Sequence, residues 1–139
     1  MLVAGRGDAP TGFVAWLEQR DALGQVYLSV VTLHEIEKGI ALLASKRASA
    51  KALRLRTWLE GLTTAYGDKI LCLDPVAAQL AGRLEAKAMA AGHSPGMADA
   101  VIAGIAQAHG LVVVTRNTKH FLPFGVEVDS PYEVAARRE

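Results

Sequence analysis

The amino-acid sequence predicts an α/β fold, a three-layer α/β/α sandwich with a mainly parallel sheet. Short apolar runs alternate along the chain with longer segments whose apolar residues recur every three or four positions. The short runs show no polar alternation, which is typical of strands that helices cover on both faces. The chain has 139 residues, of which 51% are hydrophobic and 21% charged. We therefore expect a single globular domain spanning residues 1–139.

The order of the elements follows from apolar spacing and from start and stop signals. The clearest helix is 74–92, where Asp74 is a predicted N-cap, Pro75 suits the first turn and Gly92 follows the last turn. The clearest strand is LVVVT, at 111–115. We predict helices at 8–24, 32–44, 48–66, 74–92 and 95–109. We predict strands at 25–31, 69–73 and 111–115, and a shorter one at 126–128.

Composition excludes several classes of protein. The net charge of +1 gives no overall attraction for non-specific nucleic-acid binding, although a local basic groove is compatible with it. The single cysteine, Cys72, excludes a disulfide framework and is predicted to fill the core. The N-terminus lacks the apolar core of a signal peptide, and no run approaches the length of a membrane span. We therefore expect a soluble, cytoplasmic protein.

One carboxylate interrupts an otherwise apolar helix. The segment GMADAVIAGIAQAHG, residues 96–110, is apolar on all sides, which predicts a buried helix. Asp99 lies near its beginning. A lone buried carboxylate carries a desolvation cost unless it is paired or bound to a metal. The sequence therefore indicates a partner for Asp99.

Two further polar side chains are predicted at the same edge of the sheet. Ligands of parallel sheets bind outside the carboxyl ends of the strands. Glu35 lies in the predicted first turn after the first strand, and Asn117 follows strand 111–115. Because helix 95–109 runs antiparallel to the strands, we expect Asp99 at this edge as well. Three oxygen-bearing side chains suit a hard divalent cation such as Mg²⁺ or Mn²⁺.

Each of these residues also has a purely structural interpretation. Thr32 and Glu35 form T-x-x-E, the pattern of a capping box. The helix dipole alone favours Asp99 near a helix N-terminus, and Asn117 is a common turn residue. A capping function explains Asp99 less well, because the segment before it already carries start signals. The histidines show no metal-ligand spacing, but His120 follows Asn117 closely enough to reach the site.

Three stretches in this order resemble the PIN-domain ribonucleases, and most closely the VapC-type toxins of toxin–antitoxin modules, including the FitB-like branch. They are LSVVTLHEIEKGIALL, ADAVIAGIAQAHGLVVVTRNTKHF and GVEVDSP. The resemblance covers about residues 13–132. It implies a PIN-like fold and a Mg²⁺- or Mn²⁺-dependent endoribonuclease that cleaves RNA. It also implies a cognate antitoxin and a homodimer.

The resemblance further implies roles for individual residues. The acidic positions of the family fall on Glu35 and Asp99, which would bind the metal. Its position after Thr-Arg, often an aspartate, falls on Asn117, and these three residues form the expected catalytic set. Neighbouring residues of the same motif would hold the substrate. The expected substrate-binding residues are Thr115, Arg116 and Lys119.

The chain departs from the family's pattern at its front. Family members open with a strand that ends in an aspartate, in the style of LLDTN, whereas MLVAGRGDAP resembles the loop after that strand. Asp8 is no substitute, since no apolar strand precedes it. We therefore expect a domain truncated at its N-terminus, without a central strand and one carboxylate. Such a chain should be a weak or inactive nuclease whose natural form begins further upstream.

Other functions stay open at this stage. A missing aspartate is compatible with a catalytically impaired PIN domain that only binds RNA or an antitoxin. A receiver-like domain needs a phosphorylatable Asp at a strand end, and a nucleotide-binding module needs a Gly-rich loop; the sequence has neither. Apolar residues such as Trp16, Trp58 and Leu62 exceed the needs of a small core, so we expect some of them in a homodimer or antitoxin interface.

Overall fold

The structure, a computed structural model, describes residues 1–3 and 12–138. The helices are α1 (Phe13–Ala22), α2 (Val30–Ser45), α3 (Ser49–Tyr66), α4 (Pro75–Ala90), α5 (Met97–Ala108), α6 (Thr118–Phe121) and α7 (Pro131–Arg138). The strands are β1 (Leu2–Val3), β2 (Leu28–Ser29), β3 (Ile70–Leu71), β4 (Val113–Val114) and β5 (Val128–Asp129). Single turns of 3₁₀-helix lie at Gly67–Lys69 and Leu122–Phe124. The sequence located α3, α4 and α5 to within about three residues at each end but did not predict α7.

The strands pair in parallel. β1 pairs with β4 and β4 with β5, while β2 pairs with β3. A single bridge between Leu2 of β1 and Tyr27, the residue before β2, joins the two groups. The order across the molecule is therefore β5, β4, β1, β2, β3. The predicted α/β fold with a parallel sheet is confirmed.

Helices cover both faces of the sheet. Val113 and Val114 of β4 point to opposite faces, as successive strand residues do. Val113 packs in a core cluster with Ile105 and other residues of α4 and α5. Val114 packs in a second cluster with Phe13 of α1 and Val134 of α7. α2 and α3 pack against each other in a third cluster. This gives the helix, sheet and helix layers that the sequence predicts.

β1 occupies the middle of the sheet, where the sequence predicted a missing strand. The Leu2 N–H donates to the Val112 carbonyl over 2.8 Å, and the Val3 N–H donates to the Tyr27 carbonyl over 3.1 Å. The Tyr27 N–H in turn donates to the Met1 carbonyl over 2.9 Å. Leu2 is 0% exposed. The expectation that this central position lacks a strand is wrong, because Leu2 and Val3 pair with β4 on one side and Leu2 bridges to Tyr27 on the other.

α2 begins two residues earlier than predicted. Ser29 is its N-cap, and the Ser29 Oγ accepts a hydrogen bond from the Thr32 N–H over 3.3 Å. Val30 and Val31, predicted as strand residues, form the first turn instead. Glu35 therefore lies in the second turn. The predicted capping box of Thr32 and Glu35 does not form, because the cap position is already taken by Ser29.

The segment around β3 confirms one prediction and corrects another. Asp74 caps α4, since its Oδ1 accepts a hydrogen bond from the Ala77 N–H over 2.8 Å, and Pro75 is the first helical residue. Cys72, predicted to fill the core, is exposed. β3 ends at Leu71, so Cys72 lies in the connection to α4 rather than between the sheet and a helix.

α4 and α5 approach each other closely. A Cβ atom placed on Gly104 would lie 2.7 Å from the Ala77 carbonyl oxygen and 2.7 Å from the backbone nitrogen and Cβ of Ala81. The small residues on both helices allow this approach. Seven consecutive residues of α5, 100–106, are buried, which confirms the predicted buried helix. The packing fixes the first turn of α5, and with it the position of Asp99.

The apolar residues predicted for an interface differ in their surroundings. Trp16 stacks on Phe13 with ring centroids 5.7 Å apart, and Leu62 packs in the cluster between α2 and α3. These two residues therefore contribute to packing within the chain. Trp58 is 46% exposed. Among the described helices, none is long and apolar enough to cross a membrane.

Candidate active site

Asp99 lies at the carboxyl edge of the sheet. α5 leads into β4 through a short turn and runs antiparallel to it, so the first turn of α5 lies beside the end of β4. A contact across this edge agrees with that placement. Asp99 Oδ2 lies 3.5 Å from Nδ1 of His120, which belongs to α6 after β4. His120 thus reaches the edge of the site, as its spacing from Asn117 suggested.

The surroundings of Asp99 disfavour its charged form. The Asp99 side chain is 28% exposed. Burial raises the pKa of Asp99 above its usual value of 3.8, and the nearby His120 opposes this shift. Asp99 is the acidic residue of the first turn of α5, whose N-cap, Gly96, has no side chain to cap the helix. A cation beside the carboxylate would stabilise its charged form.

Glu35 lies on α2, which starts at the same edge directly after β2. Its side chain is exposed. Within the described part of the chain, the Glu35 carboxylate makes no hydrogen bond or ion pair. α2 contacts α5, the helix that carries Asp99. Because the capping box does not form, Glu35 performs no capping function in this structure.

Asn117 is held in place by the residue at the end of β4. The Asn117 N–H donates to Oγ1 of Thr115 over 3.1 Å. Thr115 is 2% exposed, and its N–H donates to the Asp129 carbonyl over 2.9 Å, which continues the pairing of β4 with β5. The amide side chain of Asn117 is exposed and makes no capping hydrogen bond to α6. Thr115 therefore shapes the turn that presents Asn117, and its burial leaves little surface for contact with RNA.

A groove of about 430 Å³ opens beside Asp99. Lys119 and His120 line it from α6, and His93 and Ser94 line it from the loop between α4 and α5. The sequence indicated Lys119 and His120 for this region. It did not indicate His93 or Ser94, because only the packing of α4 on α5 brings their loop opposite α6. Arg116, in the turn after β4, is exposed.

The side chains at this edge are suitable ligands for a hard divalent cation. Glu35 and Asp99 offer carboxylate oxygens and Asn117 offers an amide oxygen. Mg²⁺ is commonly held by one or two carboxylates, with waters and substrate phosphates as its other ligands. In residues 1–3 and 12–138, no group of three or more His, Cys, Asp and Glu side chains could enclose a metal. Asp8, rejected above as a substitute for the family's first aspartate, lies outside the described residues. The oxygen chemistry of Glu35, Asp99 and Asn117 is of the kind that Mg²⁺ and Mn²⁺ prefer.

Comparison with known proteins identifies the family. The chain matches the PIN domain over residues 3–122. It belongs to the PIN-domain family. The match starts at Val3 of β1, includes Glu35, Asp99 and Asn117, and extends through α6 at the wall of the groove.

Curated relatives of this PIN domain align over most of its length. It is 38% identical over 120 residues to the plasmid stability protein StbB of Pseudomonas syringae pv. tomato, covering 85% of this chain and 83% of that protein. It is 34% identical over 124 residues to the VapC ribonuclease Y4jK of Sinorhizobium fredii, covering 88% and 85%. Among solved structures, FitAcB from Neisseria gonorrhoeae superimposes with a TM-score of 0.81 at 30% identity, over 95% of this chain and 99% of that one.

Proposed function

We propose that this PIN domain is a metal-dependent endoribonuclease, the toxin of a type II toxin–antitoxin system, which hydrolyses RNA phosphodiester bonds in the cytoplasm. The observation that carries the proposal is the position of Asp99. Within a chain that matches the PIN domain over residues 3–122, Asp99 is held at the carboxyl edge of the sheet and faces a groove lined by Lys119 and His120. The VapC ribonuclease relative supports the same activity.

Glu35 and Asp99 would hold Mg²⁺ or Mn²⁺ through their carboxylate oxygens, and Asn117 would offer an amide oxygen beside them. A divalent ion bound there supplies an activated water and stabilises charge on the phosphate. Thr115 keeps Asn117 in place through the hydrogen bond to its N–H. Arg116 and Lys119 supply cations that can hold an RNA phosphate. Single-stranded or loop RNA suits such a site best, because its bases are accessible.

The alternative to a nuclease is a domain that binds without cleaving. The described residues bring two carboxylates and one amide to this edge, and this set can be too weak to bind the metal that catalysis needs. The chain would then be a catalytically impaired PIN domain that only binds RNA or an antitoxin. Measuring both cleavage and binding separates the two functions.

The test is cleavage of a labelled single-stranded RNA with Mg²⁺, with Mn²⁺ and with EDTA. We expect cleavage that requires the metal. Asp99→Asn and Glu35→Gln should each reduce it by about 100-fold or more, the scale of losing one electrostatic group from an active site. Glu60→Gln, which neutralises an exposed carboxylate on α3, is the matched control and should leave cleavage unchanged.

Two results would decide against this function. Undiminished cleavage in EDTA, or by Asp99→Asn, would show that the site is elsewhere. RNA binding by the unchanged chain without cleavage would favour the impaired PIN domain.

The partners follow from the same family resemblance. We propose that the chain forms a homodimer and binds a cognate antitoxin. The exposed apolar side chains that remain for such contacts include Val14, Leu23 and Val76. Light scattering of the purified protein, alone and with the co-expressed antitoxin, measures both associations. A monomer in both preparations would contradict this proposal.

A further inference from the structure

The positive charges of the chain are concentrated in one segment. Residues 38–59 contain six of the fifteen Lys and Arg residues and no Asp or Glu. The remainder of the chain therefore has an excess of acidic residues, although the net charge of the whole is only +1. The segment covers the end of α2, the turn after it and the first half of α3. A near-neutral protein thus has a strongly basic region.

Three residues of this segment form one exposed strip on α3. Lys51, Arg54 and Trp58 follow each other at intervals of three and four residues, which places them on one side of a helix. All three side chains are exposed. The neighbouring side of α3, which includes Ala52 and Leu59, is buried against α2. We call Lys51, Arg54 and Trp58 the basic strip.

The turn before α3 adds two cations to this region. Lys46 and Arg47 connect α2 to α3, and both are exposed. Arg47 has a φ of +63°, the one non-glycine residue with a positive φ in the described part of the chain. Glycine adopts this conformation more easily than arginine does. This conformation ends α2 and places Lys46 and Arg47 in the turn that leads to the basic strip.

The third cation of α3, Arg56, is already paired. Arg56 Nη1 lies 2.6 Å from Oε1 of Glu37 on α2, and this ion pair ties the two helices together. The next acidic residue along α3, Glu60, is nine residues from Lys51, about 180° around the helix. The basic strip therefore has no carboxylate of α3 beside it. Its cations are available to a polyanion.

We propose that the basic strip binds single-stranded RNA, with backbone phosphates on Lys51 and Arg54 and a base stacked on Trp58. The proposal rests on the ribonuclease function and adds a docking surface to it, on a different helix from those that line the groove at Asp99. Single-stranded nucleic acids are held by this combination of cations along the backbone and aromatic rings against the bases. RNA suits the region better than a protein partner does, because Lys51 and Lys46 are of a residue type that protein interfaces lack, whereas phosphates are bound by clustered cations.

Binding is measured without cleavage. The Asp99→Asn variant and a fluorescein-labelled fifteen-nucleotide oligouridine allow titration by fluorescence anisotropy at several salt concentrations. We expect Lys51→Ala/Arg54→Ala in this background to weaken binding at low salt. The slope of log K against log salt should become shallower by about 1.4, since each phosphate contact on single strands contributes about 0.7. The matched control, Arg83→Ala/Lys87→Ala, removes two exposed cations of α4 and should leave the slope unchanged. An equal effect of both double variants, or an unchanged slope in the first, would overturn the proposal.

Stacking on Trp58 has its own readout. The chain has two tryptophans, so Trp16→Phe leaves Trp58 as the single tryptophan, which can be excited selectively, and retains an aromatic ring against Phe13. We expect oligouridine to quench this fluorescence and Lys51→Ala/Arg54→Ala to reduce the quenching. Trp58→Phe in the Asp99→Asn protein should keep more of the affinity than Trp58→Leu. Trp58 fluorescence that stays constant at saturating RNA would contradict the stacked base.

These results are independent of the catalytic proposal. If the unchanged chain does not cleave RNA, the anisotropy and quenching experiments still decide whether the basic strip binds it. If the chain cleaves RNA, Lys51→Ala/Arg54→Ala should raise KM for the fifteen-nucleotide substrate several-fold and leave kcat unchanged. A fall in kcat with unchanged KM would place these residues in the active site and refute a separate docking surface.

Discussion

Asp99 shows how one residue can point to function against its surroundings. The seven residues that follow it are buried, and burial raises its pKa. The helix dipole favours a carboxylate in this first turn, but burial works against its charged form. The sequence indicates this conflict directly, because one charge interrupts an apolar run. It could not indicate the contact with His120, which depends on how α5 and α6 meet at the end of β4.

Glu35 shows the opposite case, in which local sequence suggested the wrong structural role. T-x-x-E predicted a capping box, but Ser29 caps α2 instead. Val30 and Val31 are β-branched residues that favour strands, so the pattern extended the strand past the true start of the helix. Once Ser29 is the cap, Glu35 is free for another function. The metal-binding role of Glu35 stays a prediction.

Thr115 gives a test of positioning at the residue scale. Thr115→Val removes the oxygen that accepts the Asn117 N–H but nearly keeps the volume, so we expect cleavage to fall by about 10-fold, as for loss of an outer-shell partner. Thr115→Ser keeps the hydroxyl and should retain most of the activity. Initial rates of RNA cleavage compare the two variants, and thermal unfolding checks that both are folded. Equal rates for the two variants would show that this hydrogen bond does not position the site.

The lowered pKa of Asp129 predicts that the stability of the folded protein depends on pH. Burial by itself would raise its pKa, but hydrogen bonds from Arg137 and from the Ser130 N–H, among others, hold the pKa of Asp129 below 3.8. An aspartate with a lowered pKa stabilises the folded state above its unfolded pKa, and this stabilisation is lost as the pH falls through the folded value. We expect Asp129→Asn to lower Tm at neutral pH and to have a smaller effect below about pH 3.8. Calorimetry from neutral to acid pH measures the difference in Tm between the unchanged protein and Asp129→Asn. A Tm difference that grows as the pH falls would contradict a lowered pKa for Asp129.

At the scale of elements, helices were easier to predict than strands. α3, α4 and α5 are long enough for their apolar periodicity to be read, and Asp74 and Pro75 mark the start of α4 in the sequence. Each strand has only two residues in the structure. A run such as LVVVT marks the place of a strand but not its length, because its ends are set by hydrogen bonds to neighbouring strands. The C-terminal helix α7 has eight residues, which is shorter than the window in which apolar periodicity can be recognised.

Alanine substitution of two helical glycines tests how closely α4 and α5 pack. Gly104→Ala would place a Cβ 2.7 Å from the Ala77 carbonyl oxygen, and overpacking of this kind costs about 1–3 kcal/mol. Gly82 lies in α4 with nothing within 4 Å of an added Cβ, so Gly82→Ala should stabilise the protein by about 0.5–1 kcal/mol. Urea unfolding gives both values. Similar stabilisation by both substitutions would show that α4 and α5 do not pack as closely as described.

At the scale of the whole molecule, the decisive element is β1. It pairs with β4 and, through the bridge to Tyr27, links the β2–β3 pair to the other three strands. The sequence predicted that the sheet would lack this central position, because MLVAGRGDAP does not show the family's opening pattern in the style of LLDTN. The physical argument behind that prediction holds, since buried backbone groups without hydrogen-bond partners at the centre of a sheet are costly. In the structure, Leu2 and Val3 supply those partners.

Leu2 therefore gives a test of how the two groups of strands cooperate. It is 0% exposed and belongs to the core cluster formed with α4 and α5. Leu2→Ala should lower the free energy of unfolding by about 2–5 kcal/mol, the range for truncating a buried leucine. Leu53→Ala is the control, because Leu53 is 68% exposed and a surface truncation usually costs less than about 0.5 kcal/mol. If β1 joins the sheet into one cooperative unit, circular dichroism and tryptophan fluorescence will report the same, lowered midpoint for Leu2→Ala. Separate midpoints would show that the β2–β3 side unfolds independently. A loss of unfolding free energy equal to that of Leu53→Ala would contradict the central position of β1.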